Sequence, residues 1–351
     1  MFVSQQQFIF FGEKDAARRK EPTSKEKHEK IELVFKRYVG NESALVKLKT
    51  AAFTALSRPN HQMSDLSFGL FGPPSCGKTT LARLYAEVVD LPYVELSAQS
   101  LESLNYLLEK IAESCLNKRL RLEKQTDGSF YLPPCVIFID EAHNLPKSVM
   151  QGLLKATEHE DRIMQCEDGT IVNTKCVTWM IATTDEGLLF DAFRTRFSPI
   201  HLKYLRKADI SKIVSAKHPG LSESACDRIA FFNSRIPRKA LEFARYVEMY
   251  QRMREDLSPC QAVDEVAAQE GIDQFGMHEV HTKVLMALKE GPIAKSRIGH
   301  VTGRKTEENE RYIMPWLLSD VEDQPALVKV TTRGYSLTKE GEEMVRQRLS
   351  A

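Results

Sequence analysis

No apolar run in this 351-residue chain approaches the ~18 residues that would span a bilayer, so no helical membrane anchor is expected. Closely spaced cysteine pairs are also missing. The seven cysteines are scattered without a CxxC, and their odd number argues against a disulfide framework or a zinc site. The chain lacks the basic start and small-residue cleavage site of a secretion signal, so reduced thiols in a cytoplasmic setting are the expectation. An excess of one charge is absent too. Lys and Arg number 49 against 48 Asp and Glu, a formal net charge of +1. That balance excludes a globally basic nucleic-acid coat but leaves room for a local basic patch.

Against this unremarkable bulk, Gly72-Pro-Pro-Ser-Cys-Gly-Lys-Thr79 has the spacing of a phosphate-binding loop. The stretch 67–71 before it reads as a short buried strand. After it, Leu81, Ala82, Leu84, Tyr85, Ala86 and Val88 read as a helix. Strand, glycine turn and helix N-terminus together aim backbone N–H groups and a positive dipole end at a polyphosphate. Gly72, Ser75 and Gly77 belong to the turn, Lys78 would reach the terminal phosphates, and Thr79 would offer its hydroxyl to magnesium, with Thr80 beside it.

A second half-site follows. Cys135-Val-Ile-Phe-Ile139 is wholly apolar, as expected of a strand covered on both faces of a parallel sheet. It ends in Asp140-Glu141-Ala142-His143. Asp140 would orient magnesium, and Glu141 is placed to polarise a water that attacks the γ-phosphate. His143 is expected to pack or hydrogen-bond rather than to bind metal.

Organisation along the chain is uneven. Residues 1–30 read as an arm, bearing the apolar Phe8-Ile-Phe-Phe11, and a charged linker. Strands and helices alternate over 31–205, which predicts an α/β unit with a parallel sheet. Helical periodicity alone runs over 206–272. The remainder, 273–351, reads as three helices and a strand–turn–strand around Val328-Lys-Val330 and Tyr335-Ser-Leu337, the pattern of a winged helix.

These motifs in this order resemble the AAA+ ATPases, and among them the RuvB family of hexameric motors that drive Holliday-junction branch migration; the similarity covers roughly residues 35–340. Tyr38-Val-Gly-Asn-Glu42 resembles the family's adenine-packing segment, which implicates Tyr38 and Val39. Ile181-Ala-Thr-Thr184 resembles the sensor-one strand, with Thr184 at the polar position. The resemblance implies Arg196 as an arginine finger acting on a neighbouring subunit's nucleotide, with Arg194 as its competitor. Arg235-Ile-Pro-Arg238 resembles sensor two, which would let Arg238 reach the γ-phosphate of its own subunit. Glu158 aligns near the nucleotide, although a plain helix-face carboxylate explains it equally well. The family's lid-edge tyrosine falls near Tyr204 or Leu205.

Three segments depart from the family. A hairpin formed by 163–166 and 170–173 would turn at Asp168-Gly169, a dipeptide suited to a primed turn. The RuvB hairpin docks the adaptor RuvA, but the tip here, Glu167-Asp-Gly-Thr170, is short and acidic, which puts such a partner in doubt. The stretch 117–129 is longer than its counterpart and carries Lys118, Arg119, Arg121 and Lys124, read either as a phosphate contact or as a solvated loop with a further hairpin at Asp127-Gly128. The wing keeps only Lys329 and Arg333 as DNA-binding candidates. The resemblance thus implies an ATP- and Mg2+-dependent homo-oligomeric ring, expected as a hexamer, moving branched or duplex DNA in recombination and repair. The alternative is an ATP-switched DNA loader, initiator or target-selecting protein that recruits a partner without translocating.

Overall fold

The computed structural model describes residues 23–57, 67–117, 122–126, 128–158, 162–233, 236–320 and 325–350. Thr23 begins with a capping box: its hydroxyl accepts the Glu26 N–H, and the Glu26 carboxylate accepts the Thr23 N–H. Helix α1 (Ser24–Phe35) therefore starts inside the stretch expected to be linker as far as Lys30. The correction has a local cause, since the cap fixes the start and Ile31, Val34 and Phe35 bury one face. The apolar run at 8–11 lies outside the described residues. Helix α2 (Glu42–Leu56) packs beside α1.

The strands up to residue 201 are β1 (Phe68–Phe71), β2 (Tyr93–Ser97), β3 (Glu123–Lys124), β4 (Phe130–Tyr131), β5 (Cys135–Asp140), β6 (Ile163–Gln165), β7 (Ile171–Asn173), β8 (Val177–Thr183) and β9 (Ser198–His201). Five of them form a parallel sheet in the order β2-β5-β8-β1-β9. Helices α3 (Lys78–Val88), α4 (Leu104–Asn117), α5 (Lys147–Ala156) and the short α6 (Asp191–Arg194) connect them. Side chains alternate across each strand. Ile137 and Ile139 of β5 enter one core with Trp179 and Ile181 of β8, whereas Val136 and Phe138 enter the other with Met180 and Ala182. Each fully buried large apolar side chain contributes roughly 1.5–3 kcal/mol. The α/β fold with a parallel sheet expected from sequence is what the chain adopts.

A second sheet, in the order β3-β4-β7-β6, joins two hairpins through a parallel pairing of β4 with β7. The long segment after α4 is thus built into the fold at β3 and β4, not wholly a loop. Lys124 lies exposed on β3, while Lys118, Arg119, Arg121 and Asp127 lie outside the described residues. The expected primed turn is also corrected. In the β6–β7 loop only Gly169 has a positive φ (+84°), and its N–H donates to the Cys166 carbonyl at 3.1 Å. That longer turn lets Glu167 reach α4, where its carboxylate accepts the Leu104 and Asn105 N–H groups, both at 3.0 Å. Ser103 takes the next N–H, from Tyr106. The acidic tip is a cap for α4.

Helices α7 (Lys207–Lys217), α8 (Glu223–Phe232), α9 (Pro237–Met253) and α10 (Pro259–Gln269) surround a core of their own, including Ile210, Ile229, Phe243 and Val263. A further core, with Val284, Leu285, Leu317, Val328 and Tyr335, gathers α11 (Glu279–Lys289), α12 (Ile298–Thr302), the helical stretch α13 over 306–318, the antiparallel β10 (Val328–Thr331) and β11 (Gly334–Leu337), and α14 (Lys339–Ser350). A π-helical turn over Asn309–Ile313 precedes Pro315 in α13, a way to absorb a residue without an N–H. Helix α14 was not expected. Its wholly buried positions are only Gly341 and Val345, too thin a stripe to read as helix. Arg348 anchors it instead, through Thr282 Oγ1 at 2.8 Å and the Asp273 carboxylate, with the guanidinium 4.8 Å over the Phe275 ring. Among the described residues no helix is long and apolar enough to cross a membrane.

The Glu167 cap should be visible in solution. Burial raises the Glu167 carboxyl, but the N–H groups of Leu104, Glu167 and Asn105 outweigh it and the net shift is downward. A depressed folded-state value means the stabilisation is present above the ordinary carboxylate range and is lost as pH falls through the folded value. Glu167→Ala should cost about 1 kcal/mol and speed amide exchange at Leu104 and Asn105 at pH 7, with wild type converging on the variant in acid. Hydrogen exchange checks this; equal exchange at pH 7 would contradict the cap.

Candidate nucleotide-binding site

The loop between β1 and α3 is shaped by close approaches. A Cβ on Gly72 (φ +153°) would lie 2.4 Å from the Leu202 carbonyl, and one on Gly77 (φ +90°) would lie 2.6 Å from the Tyr38 ring. Ser75 also takes a left-handed backbone, with φ +62°. Helix α3 then starts at Lys78 with no side-chain cap, leaving its first N–H groups facing the loop. Lys78 itself is buried, and its Nζ donates to the carbonyls of Gly72 (2.8 Å) and Pro73 (2.9 Å).

Asp140 closes β5. Burial first, and the neighbouring Glu141 carboxylate next, push its carboxyl above the usual range. Glu141 holds φ +51°, a left-handed conformation that costs a non-glycine residue roughly 1–3 kcal/mol and recurs where side-chain placement matters. Its Oε2 accepts from the Thr184 hydroxyl at 3.2 Å and from the Thr184 N–H at 3.4 Å. The His143 Nδ1 lies 3.3 Å from the same oxygen and 2.7 Å from the Thr183 hydroxyl. Glu141 is thus held from β8 and from the turn it begins.

A cleft of about 460 Å3 opens over this floor, between the sheet and α7 and α9. It is lined by Tyr38, Val39, Ser75, Gly77, Lys78, Thr79, Thr80, Asp140, Glu141 and Arg238, so ten expected residues from four separate segments meet there. Gly72 lies beneath as part of the loop, and Thr184 reaches the cleft through Glu141. Tyr38 does more than line it: its hydroxyl donates to the Cys76 carbonyl at 2.6 Å, and its burial pushes the phenol up. Leu205 lines the cleft and Tyr204 faces a neighbouring one. Pro237 occupies the first turn of α9, next to Arg238, while Arg235 lies outside the described residues.

Other expected residues sit elsewhere. Arg196 is absent from the cleft lining and pairs with Glu158 at 2.8 Å. Arg194 pairs with Asp191 at 3.0 Å and Glu186 at 3.5 Å. Lys329 and Arg333 are exposed on the β10–β11 hairpin, away from the cleft lining. Ile213, Lys217 and Leu241 also line the cleft, a placement the sequence reading missed. Their signal was spacing: Leu241 lies almost one turn past Arg238, and Lys217 one turn past Ile213, on the same helix faces.

The donors suit magnesium. The Thr79 hydroxyl and Asp140 carboxylate are hard oxygen ligands lining one cleft. Among the described residues no group of three or more His, Cys, Asp or Glu could cage an ion. Few protein ligands, with remaining positions for water and phosphate oxygens, is the usual magnesium arrangement. A cation there would also offset the unfavourable charge felt by Asp140.

Residues 68–203 match the AAA family, ATPases associated with various cellular activities. No curated protein matches the chain. Among solved structures, the RuvB Holliday junction branch migration motor of Thermotoga maritima superposes with a TM-score of 0.67 at 24% identity, over 88% of this chain and 95% of that one. Two point mutants of the same RuvB give TM-scores of 0.68, at 22% and 23% identity, over 88% of this chain and 96% and 95% of theirs. The phosphate loop and the Asp-Glu strand end thus fall within the AAA ATPase match at residues 68–203, Tyr38, Val39 and Arg238 reach the same cleft from outside that stretch, and the chain has the RuvB fold.

Proposed function

We propose that this protein is an ATP-driven ring motor acting on branched or duplex DNA, as a RuvB-like branch-migration ATPase in recombination and repair. The observation that carries this reading is the single cleft in which Lys78, Thr79, Asp140, Glu141 and Arg238 converge, in a chain whose fold matches a branch-migration motor along most of its length. The division into an ATPase unit up to residue 205, a lid over 206–272 and a winged helix over 273–351 belongs to the same reading.

On ATP binding, Lys78 exchanges its loop carbonyls for β- and γ-phosphate oxygens. Glu141, oriented by Thr184 and His143, polarises the attacking water. Magnesium held at Thr79 and Asp140 would neutralise charge on the phosphates. Arg238 ties the γ-phosphate to the lid. In a ring, a hexamer in the family manner, Arg196 leaves Glu158 to stabilise charge on a neighbour's transferred phosphoryl group, worth roughly a thousandfold in rate. Lys329 and Arg333 then meet DNA phosphates. One observation favours the loader or initiator alternative: the β6–β7 tip, where a RuvA-like adaptor would dock, is engaged with α4 of its own chain.

Lys78→Ala should abolish nucleotide binding, whereas Glu141→Gln should bind ATP and leave it unhydrolysed. Equal loss of binding in both variants, by equilibrium titration, would contradict these roles. Arg196→Ala subunits should bind ATP and hydrolyse it poorly, and mixing them with Lys78→Ala subunits should restore part of the turnover. No recovery in co-assembled rings would argue against a shared site. The pair Lys329→Ala and Arg333→Ala should weaken DNA binding and lower its salt slope by about two units, with basal ATPase retained. An unchanged slope would remove the hairpin from the DNA contact.

A further inference from the structure

The segment between α1 and α2 touches both the phosphate loop and the entry to the lid. On one side, the Tyr38 hydroxyl donates to the Cys76 carbonyl at 2.6 Å and the ring packs against Gly77. On the other, Gly40 (φ +83°) fits against Leu205 and Asp209 so closely that a Cβ would meet them at 2.7 and 3.3 Å. Asn41 joins the two. Its Oδ1 accepts the Lys203 N–H at 2.7 Å, and its Nδ2 donates to the Lys203 carbonyl at 3.2 Å and lies 3.4 Å from the Tyr38 hydroxyl. Both backbone groups of Lys203 are therefore held by one side chain, at the residue where β9 has ended and the chain turns toward α7.

Each neighbour of this clamp is itself fixed. Leu202, one residue earlier, presents its carbonyl to Gly72 and donates its N–H to Phe71 at 2.7 Å. Asp209, in the first turn of α7, is buried and accepts from Arg206 Nε at 2.9 Å and Nη2 at 3.1 Å. A movement of the Cys76 carbonyl as the loop takes up a phosphate would displace the Tyr38 hydroxyl, and with it the amide that sets the position of Lys203. Asn41 also adopts φ +52° and ψ +46°, a backbone state that asparagine tolerates better than most residues.

We infer that Asn41 is a positioning residue that couples nucleotide occupancy of the phosphate loop to the angle of the lid, and so to the delivery of Arg238. The inference rests on the ATPase reading above. Within it, Asn41 touches no nucleotide: it borders a separate cleft with Lys203, Leu205 and Asp209. Its loss should impair the step that closes the lid and leave nucleotide binding nearly intact, since the loop, Lys78 and Thr79 are unaltered. Lid closure is a common limit on turnover.

The test uses Asn41→Gly, because glycine keeps the left-handed backbone while deleting the amide, and Asn41→Asp, which keeps only the bond from the Lys203 N–H. Spin labels at Val46→Cys on α2 and Met249→Cys on α9, both exposed, report the lid angle. Cys260→Ser clears the background, since the other six cysteines are buried. The full chain is measured without nucleotide and with magnesium and a slowly hydrolysed ATP analogue. Asn41→Gly should bind the analogue within about threefold of the unsubstituted chain, lose the nucleotide-dependent shift in label distance and fall roughly tenfold in kcat with little change in KM, and Asn41→Asp should lie between. If Asn41→Gly does not fold, by circular dichroism and thermal melting, Asn41→Asp is judged by the same criteria. A variant that keeps both the distance shift and kcat overturns the coupling, as does one that loses turnover with the shift intact. An unsubstituted chain that hydrolyses ATP with no change in label distance overturns it alone; one that neither binds nor hydrolyses ATP overturns the ATPase reading with it.

Discussion

Strand β8 lies between β1 and β5, hydrogen-bonded to both, and the site depends on that placement. The parallel register sets Phe71 level with Thr183 and Ile139 level with Ile181. Continuing the register brings Glu141, two residues on, level with Thr183 and Gly72, one residue on, level with Thr184. The Gly72 N–H donates to the Thr183 carbonyl at 3.3 Å, and the Thr184 hydroxyl donates to Glu141. Strand ends of an open parallel sheet are a common place for ligands, because backbone groups there have no further strand to pair with. The buried β5 and β8 matter because their side chains pack into cores on both faces of the sheet and hold this register.

Left-handed, non-glycine residues include Ser75 and Glu141 in the cleft lining and Asn41 in the neighbouring cleft. Each redirects the chain where a helix-forming backbone would carry the side chain or carbonyl away. Close packing flanks two of them, with Leu202 against Gly72 and Tyr38 against Gly77 on either side of Ser75, and Leu205 against Gly40 beside Asn41. Strain is tolerated where the neighbours leave no alternative.

Contiguous features were legible in the sequence. The phosphate loop reads from spacing, and β5 reads from a run of apolar residues ending in two carboxylates. The α/β fold followed from these. Features that depend on distant partners were not legible. Asn41 and Lys203 are 162 positions apart, and Glu167 caps a helix 63 positions earlier. The start of α1 was missed for a different reason: Thr23 and Glu26 form a capping box within a stretch whose lysines and glutamates read as solvated linker. Helix α14 was hidden because Arg348, an ordinary surface residue by composition, supplies its anchor through Asp273. Arg196 could be named from resemblance, but the structure of one chain pairs it with Glu158, so its proposed role belongs to an assembly that one chain does not contain.

Phosphate release counted per chain, with excess ATP and magnesium on a four-way DNA junction, tests the central claim most directly. A motor releases phosphate continuously, many per chain, for as long as ATP and DNA remain. Release of about one phosphate per chain followed by arrest, with the protein still bound to DNA, would contradict the motor and leave the ATP-switched loader in its place.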